Sequence, residues 1–228
     1  MIAPSLILDS QEKWLPVAVD TIITAGAKID GEPVETLEQL ELTESEVDRI
    51  DFPKDMFDTG VGRAVLIDSN PPTGYHQVIP AGGLWWHQYW TFWLYNPKKY
   101  AGFGEHEGDW EMVQLGCIDE EGDYPILMTC SQHDGGEKRE YWRVALHQVF
   151  GSPLVYVARD SHANYFEPHK DVTDTADGKG ISLVMQWRPF GTWQAWKGKW
   201  GNSDNSPGPL TTRRAWNAPH AYHSQARG

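Results

Sequence analysis

From residue 75 onward the chain is written in period two, and this pattern limits its fold more than any other feature. The stretch "YHQVIPAGGLWWHQYWTFWLYNP" is aromatic and β-branched with no helix cap. "EMVQLGCID" alternates cleanly, "EEGDY" supplies a turn, and "PILMTCSQH" and "SPLVYVAR" are two further runs of strand length. Strands of this length separated by Gly, Asp and Pro turns predict a mainly β fold, an antiparallel β-sandwich.

The remainder is read as the sandwich's accessories. "PVAVDTIITAG" suits a strand or a short helix, and "ETLEQLELTESEVDRI", with Leu37, Leu40, Leu42 and Val47 amid acids, suits one helix or two with Thr43 as a cap. The closing "WRPFGTWQAWKGKWGNSDNSPGPLTTRRAW" is rich in Gly and Pro and holds Trp187, Trp193, Trp196, Trp200 and Trp216. Five indoles in one segment predict a long ordered loop laid over the sheet, because exposed indoles in such number are disfavoured. At 228 residues a single domain is expected, with a lead-in over 1–70 and the sandwich over 75–218.

Composition excludes several classes of function. A formal charge of −13, with no basic cluster denser than "KREYWR", excludes a nucleic-acid surface and disfavours an anionic membrane. Membrane insertion is not expected. "TGVGRAV" at 59–65 lacks the G-K-[ST] of a phosphate loop, and no dinucleotide fingerprint occurs, so no nucleotide cofactor is implied. The opening "MIAPSLILDSQEKWLPVAVD" has neither a basic n-region nor a long apolar h-region, and Cys117 and Cys130 fall in strand-like runs. The expectation is a cytoplasmic protein with buried, reduced thiols. Oligomeric state is left open.

The chemistry concentrates in "GFGEHEGDWEMVQLG". With a strand beginning near Asp109, period two places Asp109, Glu111, Val113 and Leu115 on one face. Two carboxylates at the margin of a core repel and resist desolvation unless something cationic lies between them. A divalent cation would serve, with His106 folding over from the incoming loop as the third ligand. Two hard oxygen ligands with one imidazole suit Ca²⁺, Mg²⁺ or Mn²⁺ better than structural zinc. Arg or Lys partners, or turn N–H groups, would serve the carboxylates equally.

Other polar groups end strands in the same half of the chain: His133 in "CSQHDGGE", and Ser161, His162 and Asn164 in "ARDSHANYF". Strand ends of a sandwich meet at one pole, so His106, Asp109, Glu111, His133 and His162 are expected to converge.

These same stretches resemble a known family. "YWTFWLYNP", "HEGDWEMVQL", "CSQHDGGE", "PLVYVARDSHANYF" and "GPLTTRRAW" together resemble the Vps62-like domain family over roughly residues 75–218. More distantly, H-x-x-D-W-E at His106, Asp109, Trp110 and Glu111 is similar to the heptapeptide of the necrosis-inducing Nep1-like proteins. That likeness implies a β-sandwich with a divalent cation at the heptapeptide. The chain departs from the Nep1-like Y-x-P-K-D pattern, reading Tyr95-Asn96-Pro97-Lys98-Lys99, so a lysine stands where the ligand aspartate is expected.

The functional expectation is an enzyme acting on a small molecule by hydrolysis, cyclisation or rearrangement. His106, His162 and Glu111 would be its catalytic residues, and His106, Asp109 and Glu111 its metal ligands. Trp86, Trp90, His133, Asn164 and Trp193 would bind substrate. The alternative is a cation-dependent carbohydrate or small-ligand binding module, with Trp193, Trp196 and Trp200 as a stacking platform.

Overall fold

The computed structural model describes residues 1–41, 48–53, 71–97, 105–132, 135–171, 174–201 and 208. Strands are numbered in chain order. A six-stranded sheet runs in the order β15 (Gln186–Pro189), β5 (Thr73–Ala81), β6 (Leu84–Asn96), β7 (His106–Cys117), β8 (Pro125–Gln132) and β9 (Gly135–Glu140). Its pairs are antiparallel except β15–β5. A second sheet runs β11 (Asn164–Tyr165), β10 (Leu154–Val157), β1 (Ser5–Leu8) and β14 (Ser182–Leu183). Small sheets complete the described set: β16 (Lys199–Trp200), β4 (Arg49–Asp51), β2 (Lys28–Ile29) and β3 (Glu32–Pro33) in one, β12 (His169–Lys170) and β13 (Thr175–Ala176) in the other. The fold is mainly β and sandwich-like, as the period-two pattern predicts.

Alternation along β6 and β7 builds two cores. Tyr89, Trp93, Val113 and Leu115 face the second sheet and bury against Leu6, Leu8, Val155 and Val157. Trp90, Phe92, Trp110 and Met112 face the other way, against Ile22, Ile50, Trp193, Trp196 and Trp200. The C-terminal segment, expected as a loop over the sheet, begins as its edge strand β15 with Trp187 against the first core, and Trp193, Trp196 and Trp200 then join the second core. β5 and β6 turn through Gly82 (φ 61°) and Gly83 (φ 79°), the two left-handed residues that a two-residue hairpin loop demands.

The lead-in differs from its helical reading. Asp20–Thr24 is helical, and among the described residues of "ETLEQLELTESEVDRI" Glu38–Glu41 forms a helix, while Arg49–Asp51 is strand. Ile50 is fully buried between Ile29 and Trp200, and this long-range pairing outweighs local helical preference. Leu42, Thr43, Val47 and Trp216 lie outside the described residues. Strand β9, "GGEKRE", was hidden by its charges, which suit a sheet edge that must not recruit another strand. No helix among the described residues is long and apolar enough to cross a membrane.

The strands give the molecule two ends. At one, β7 begins at His106, β8 finishes at Gln132, and the chain leaving β10 turns through Asp160 and His162. At the other lie the 118–124 turn, the N-terminus and the segment entering β10. Ile2 N–H donates there to the Gly122 carbonyl (3.3 Å), and Ser5 is in register with Leu154.

Candidate functional site

The first of these ends holds the polar constellation. Asp109 lies opposite Trp93 and Glu111 opposite Thr91 in the β6–β7 ladder, both carboxylates buried at the margin of the core that contains Val113 and Leu115. His162 reaches Asp109 from the turn after β10. Asp160 (φ 69°) and His162 (φ 54°) are both left-handed, a conformation that costs a non-glycine residue about 1 kcal/mol or more and is held only where surroundings over-determine it. The surroundings here are hydrogen bonds: His162 N–H to the Ala158 carbonyl (3.1 Å) and Ala158 N–H to the Ala163 carbonyl (2.9 Å).

The turn delivers a fully buried imidazole. Its Nδ1 donates to Asp109 Oδ2 at 3.0 Å, and its ring lies flat on Trp93, with centroids 4.2 Å apart and planes 5° from parallel. Nε2 faces Glu12 Oε1 at 4.0 Å and has no hydrogen-bond partner among the described residues. Glu12 is also buried. Its carboxylate accepts the N–H groups of Lys13 (2.7 Å), Trp14 (2.8 Å) and Asp160 (2.6 Å), and so ties the N-terminal segment to the His162 turn. Glu12 carries no sequence signal. Only the parallel pairing of β1 with β10 brings residue 12 beside residue 162.

Glu111 sits in a neighbouring network. It accepts a hydrogen bond from the Ser131 hydroxyl, and Ser131 Oγ accepts the Met112 N–H (2.9 Å) and the Asn164 amide (3.3 Å). The Asn164 carbonyl in turn accepts from Gln132 Nε2 at 3.1 Å. Asn164 is thus brought to this end together with Glu111.

His106 is the first residue of β7 rather than part of a loop. Its Nδ1 donates to the Gly108 carbonyl at 3.2 Å, and its Nε2 lies 3.2 Å from the Asn96 amide oxygen. The Asn96 nitrogen then donates to the carbonyls of Asp160 (3.1 Å) and Pro97 (3.2 Å). Gly108 (φ 66°) interrupts the alternation between His106 and Asp109. A Cβ there would stand 1.8 Å from the Trp200 carbonyl oxygen, so only glycine fits. His106 therefore reaches the His162 turn through Asn96.

The side chains expected as cation ligands are engaged by other groups in this structure. Both His106 nitrogens point at amide or carbonyl oxygens, Asp109 holds His162, and Glu111 holds Ser131. Among the described residues, no group of three His, Cys, Asp or Glu side chains is placed to hold a metal ion.

The aromatic walls are also placed differently. Trp90 and Trp193 are buried in the core on the opposite face of the sheet, and Trp196 and Trp200 pack there edge to face, 5.6 Å between centroids, so these indoles form core rather than an open platform. Trp86 lies opposite Gly116, towards the other end of β7. His133 is outside the described residues. Cys117 and Cys130 are buried free thiols, and burial pushes the Cys117 thiol up to about 12, ruling it out as a thiolate nucleophile at neutral pH.

No family model matches the chain, and no curated protein matches it. Solved structures do. A toxin fold for microbial attack and plant defense overlaps it with 13% identity and a TM-score of 0.37 over 50% of each chain. NLPPya in complex with glucosamine overlaps with 16% identity and a TM-score of 0.35, over 50% of this chain and 49% of that one. Necrosis and ethylene inducing protein 2, from the causal agent of cocoa's witches' broom disease, gives 15% and 0.36 over 50% of each. Its structural neighbours are NLP toxin-fold proteins. The chain spans about half the length of these structures, and an overlap of this extent fixes neither a family nor an activity.

Proposed function

We propose that the chain is a small-ligand-binding β-sandwich module whose ligand is held at the His162 end. The observation that carries this reading is the His162 ring, fixed through Nδ1 by Asp109 while Nε2 faces Glu12 across 4.0 Å without a hydrogen-bond partner among the described residues. That gap is too long for a hydrogen bond, and with Nε2 and the Glu12 carboxylate both acceptors, an ammonium group or two hydroxyls of one polyol lodged beside it would donate to both sides. The ligand class is therefore a polyol or an amino sugar, which a chain of charge −13 favours over an anion. The residues that carry the Vps62-like resemblance, His106, Asp109, Glu111, His162 and Asn164, converge at this end and support the same placement. Glucosamine, with which NLPPya was solved, presents both donor types and is a suitable probe.

The same imidazole favours one second reading. A carboxylate-oriented histidine with an unengaged nitrogen is the arrangement of a general base, with Asp109 as the positioning residue.

Calorimetric titration with glucosamine and with glucose separates the two. Binding predicts saturable uptake by the parent, weakened about tenfold or more in His162→Gln and Glu12→Gln variants whose circular dichroism is unchanged, since a charge-assisted hydrogen bond is worth that much. No uptake of either sugar by the folded parent would contradict the proposal. Release of a new product, abolished in His162→Gln, would establish the enzyme instead.

A further inference from the structure

The opposite end of the molecule reverses the usual distribution of side chains, and we infer that it is the face through which two copies of this chain associate. Tyr124 and Ile126, at the entry to β8, are 66% and 45% exposed, and Trp142, Leu146, Val149 and Phe150, between β9 and β10, are 75%, 47%, 78% and 66% exposed. They share one end because Glu140 pairs with Leu127, Ser5 pairs with Leu154, and Met1 and Ile2 bond to the 122–123 turn.

The apolar tip is built, not frayed. Leu146 and Pro153 form an isolated bridge, Leu154 N–H donates to the Ala145 carbonyl (2.8 Å), and His147 N–H donates to the Ser152 carbonyl (2.7 Å). His147 Nδ1 accepts the N–H groups of Val149 (3.2 Å) and Phe150 (3.3 Å), and the His147 ring stacks on Phe150 with centroids 4.6 Å apart. A tip held in place presents its apolar groups at little further ordering cost.

Area and charge select a second copy as the occupant. At roughly 100 Å² apiece for exposed groups of this size, six such residues offer about 600 Å², close to the apolar centre of a standard interface of about 800 Å² per partner. Its rim is self-complementary. The 118–124 turn carries Asp119, Glu120, Glu121 and Asp123, the last paired with the Met1 ammonium (2.7 Å), whereas residues 141–159 contain no Asp or Glu and carry Arg143, which pairs with Glu140 (3.5 Å) and is 62% exposed over the Trp142 ring. A two-fold axis sets the acidic turn of each copy beside Arg143 of the other, which is what an isologous contact requires. The same acidic turn opposes a phospholipid surface.

Sedimentation velocity on the full chain from 1 to about 200 µM, the range in which interfaces of this size commonly dissociate, tests the inference. A monomer–dimer equilibrium is expected, shifted at least about tenfold towards monomer in V149S/F150S, which replaces two exposed residues, with circular dichroism unchanged. Arg143→Glu should weaken the dimer, and adding Glu121→Arg should restore it. A single monomeric species throughout would overturn the inference. So would a dimer that V149S/F150S leaves intact, or monomeric chain retained by phosphatidylcholine vesicles through Val149 and Phe150.

Discussion

The two ends of the sandwich solve opposite problems with the same strands. Where β7 begins, Asp109, Glu111, His162 and Glu12 are taken out of water, each desolvation offset by a directed bond. Where β7 ends, Tyr124, Trp142 and Phe150 are left in water on a hydrogen-bonded scaffold. A buried polar group is tolerated only with partners, while an exposed apolar one costs the fold little. Substitutions at the two ends should therefore differ in kind: unfolding at the first, altered association at the second.

The sharpest test of that contrast is His162→Ala. It leaves two buried carboxylates without their imidazole and opens a cavity against Trp93, so a loss of about 3–5 kcal/mol in urea unfolding is expected. Gly108→Ala should follow at about 2–4 kcal/mol by the same measurement, because its Cβ overlaps the Trp200 carbonyl at a left-handed φ. Glu12→Gln keeps the shape of the side chain and weakens three charge-assisted bonds, for a loss of about 1–2 kcal/mol. V149S/F150S should change unfolding free energy by no more than about 0.5 kcal/mol. A large loss there would erase the distinction between the ends.

Acid should discriminate a different region. His76 and His87 stack between β5 and β6 with Nε2 and Nδ1 3.1 Å apart. Burial, with His87 adding to it, lowers His76 to about 4 from the ordinary 6.5, and burial also holds His87 below its usual range. Both folded-state values lie below the unfolded ones, so their neutral forms stabilise the fold above about pH 6.5, and that contribution is lost as pH falls towards 4. Melting temperature followed from pH 7 to 4 should drop, and H76Q/H87Q should drop less. Equal slopes would remove the pair as the cause.

How much of this was legible in the sequence depended on how far apart the interacting residues are. Period two alone identified β5 to β8 and put Asp109 and Glu111 on one face with Val113 and Leu115, because alternation is local. His162 and Asn164 could be assigned to a strand end for the same reason. Glu12 could not, since its place beside His162 rests on a register between strands nearly 150 residues apart. Trp193, Trp196 and Trp200 were legible as a segment covering the sheet but not as core, because spacing does not reveal what lies on the other side of an indole. Gly108 shows the limit of counting: one left-handed residue interrupts the alternation, so His106 cannot be placed from Asp109.

Nitrogen-15 resonances of the His162 ring test the central claim, that Asp109 holds a buried, oriented imidazole at the polar end. Long-range proton–nitrogen correlation on the parent should show Nδ1 protonated, with a slowly exchanging proton whose resonance shifts in Asp109→Asn. An unprotonated Nδ1, or a ring that exchanges as freely as a solvent-exposed histidine, would contradict it.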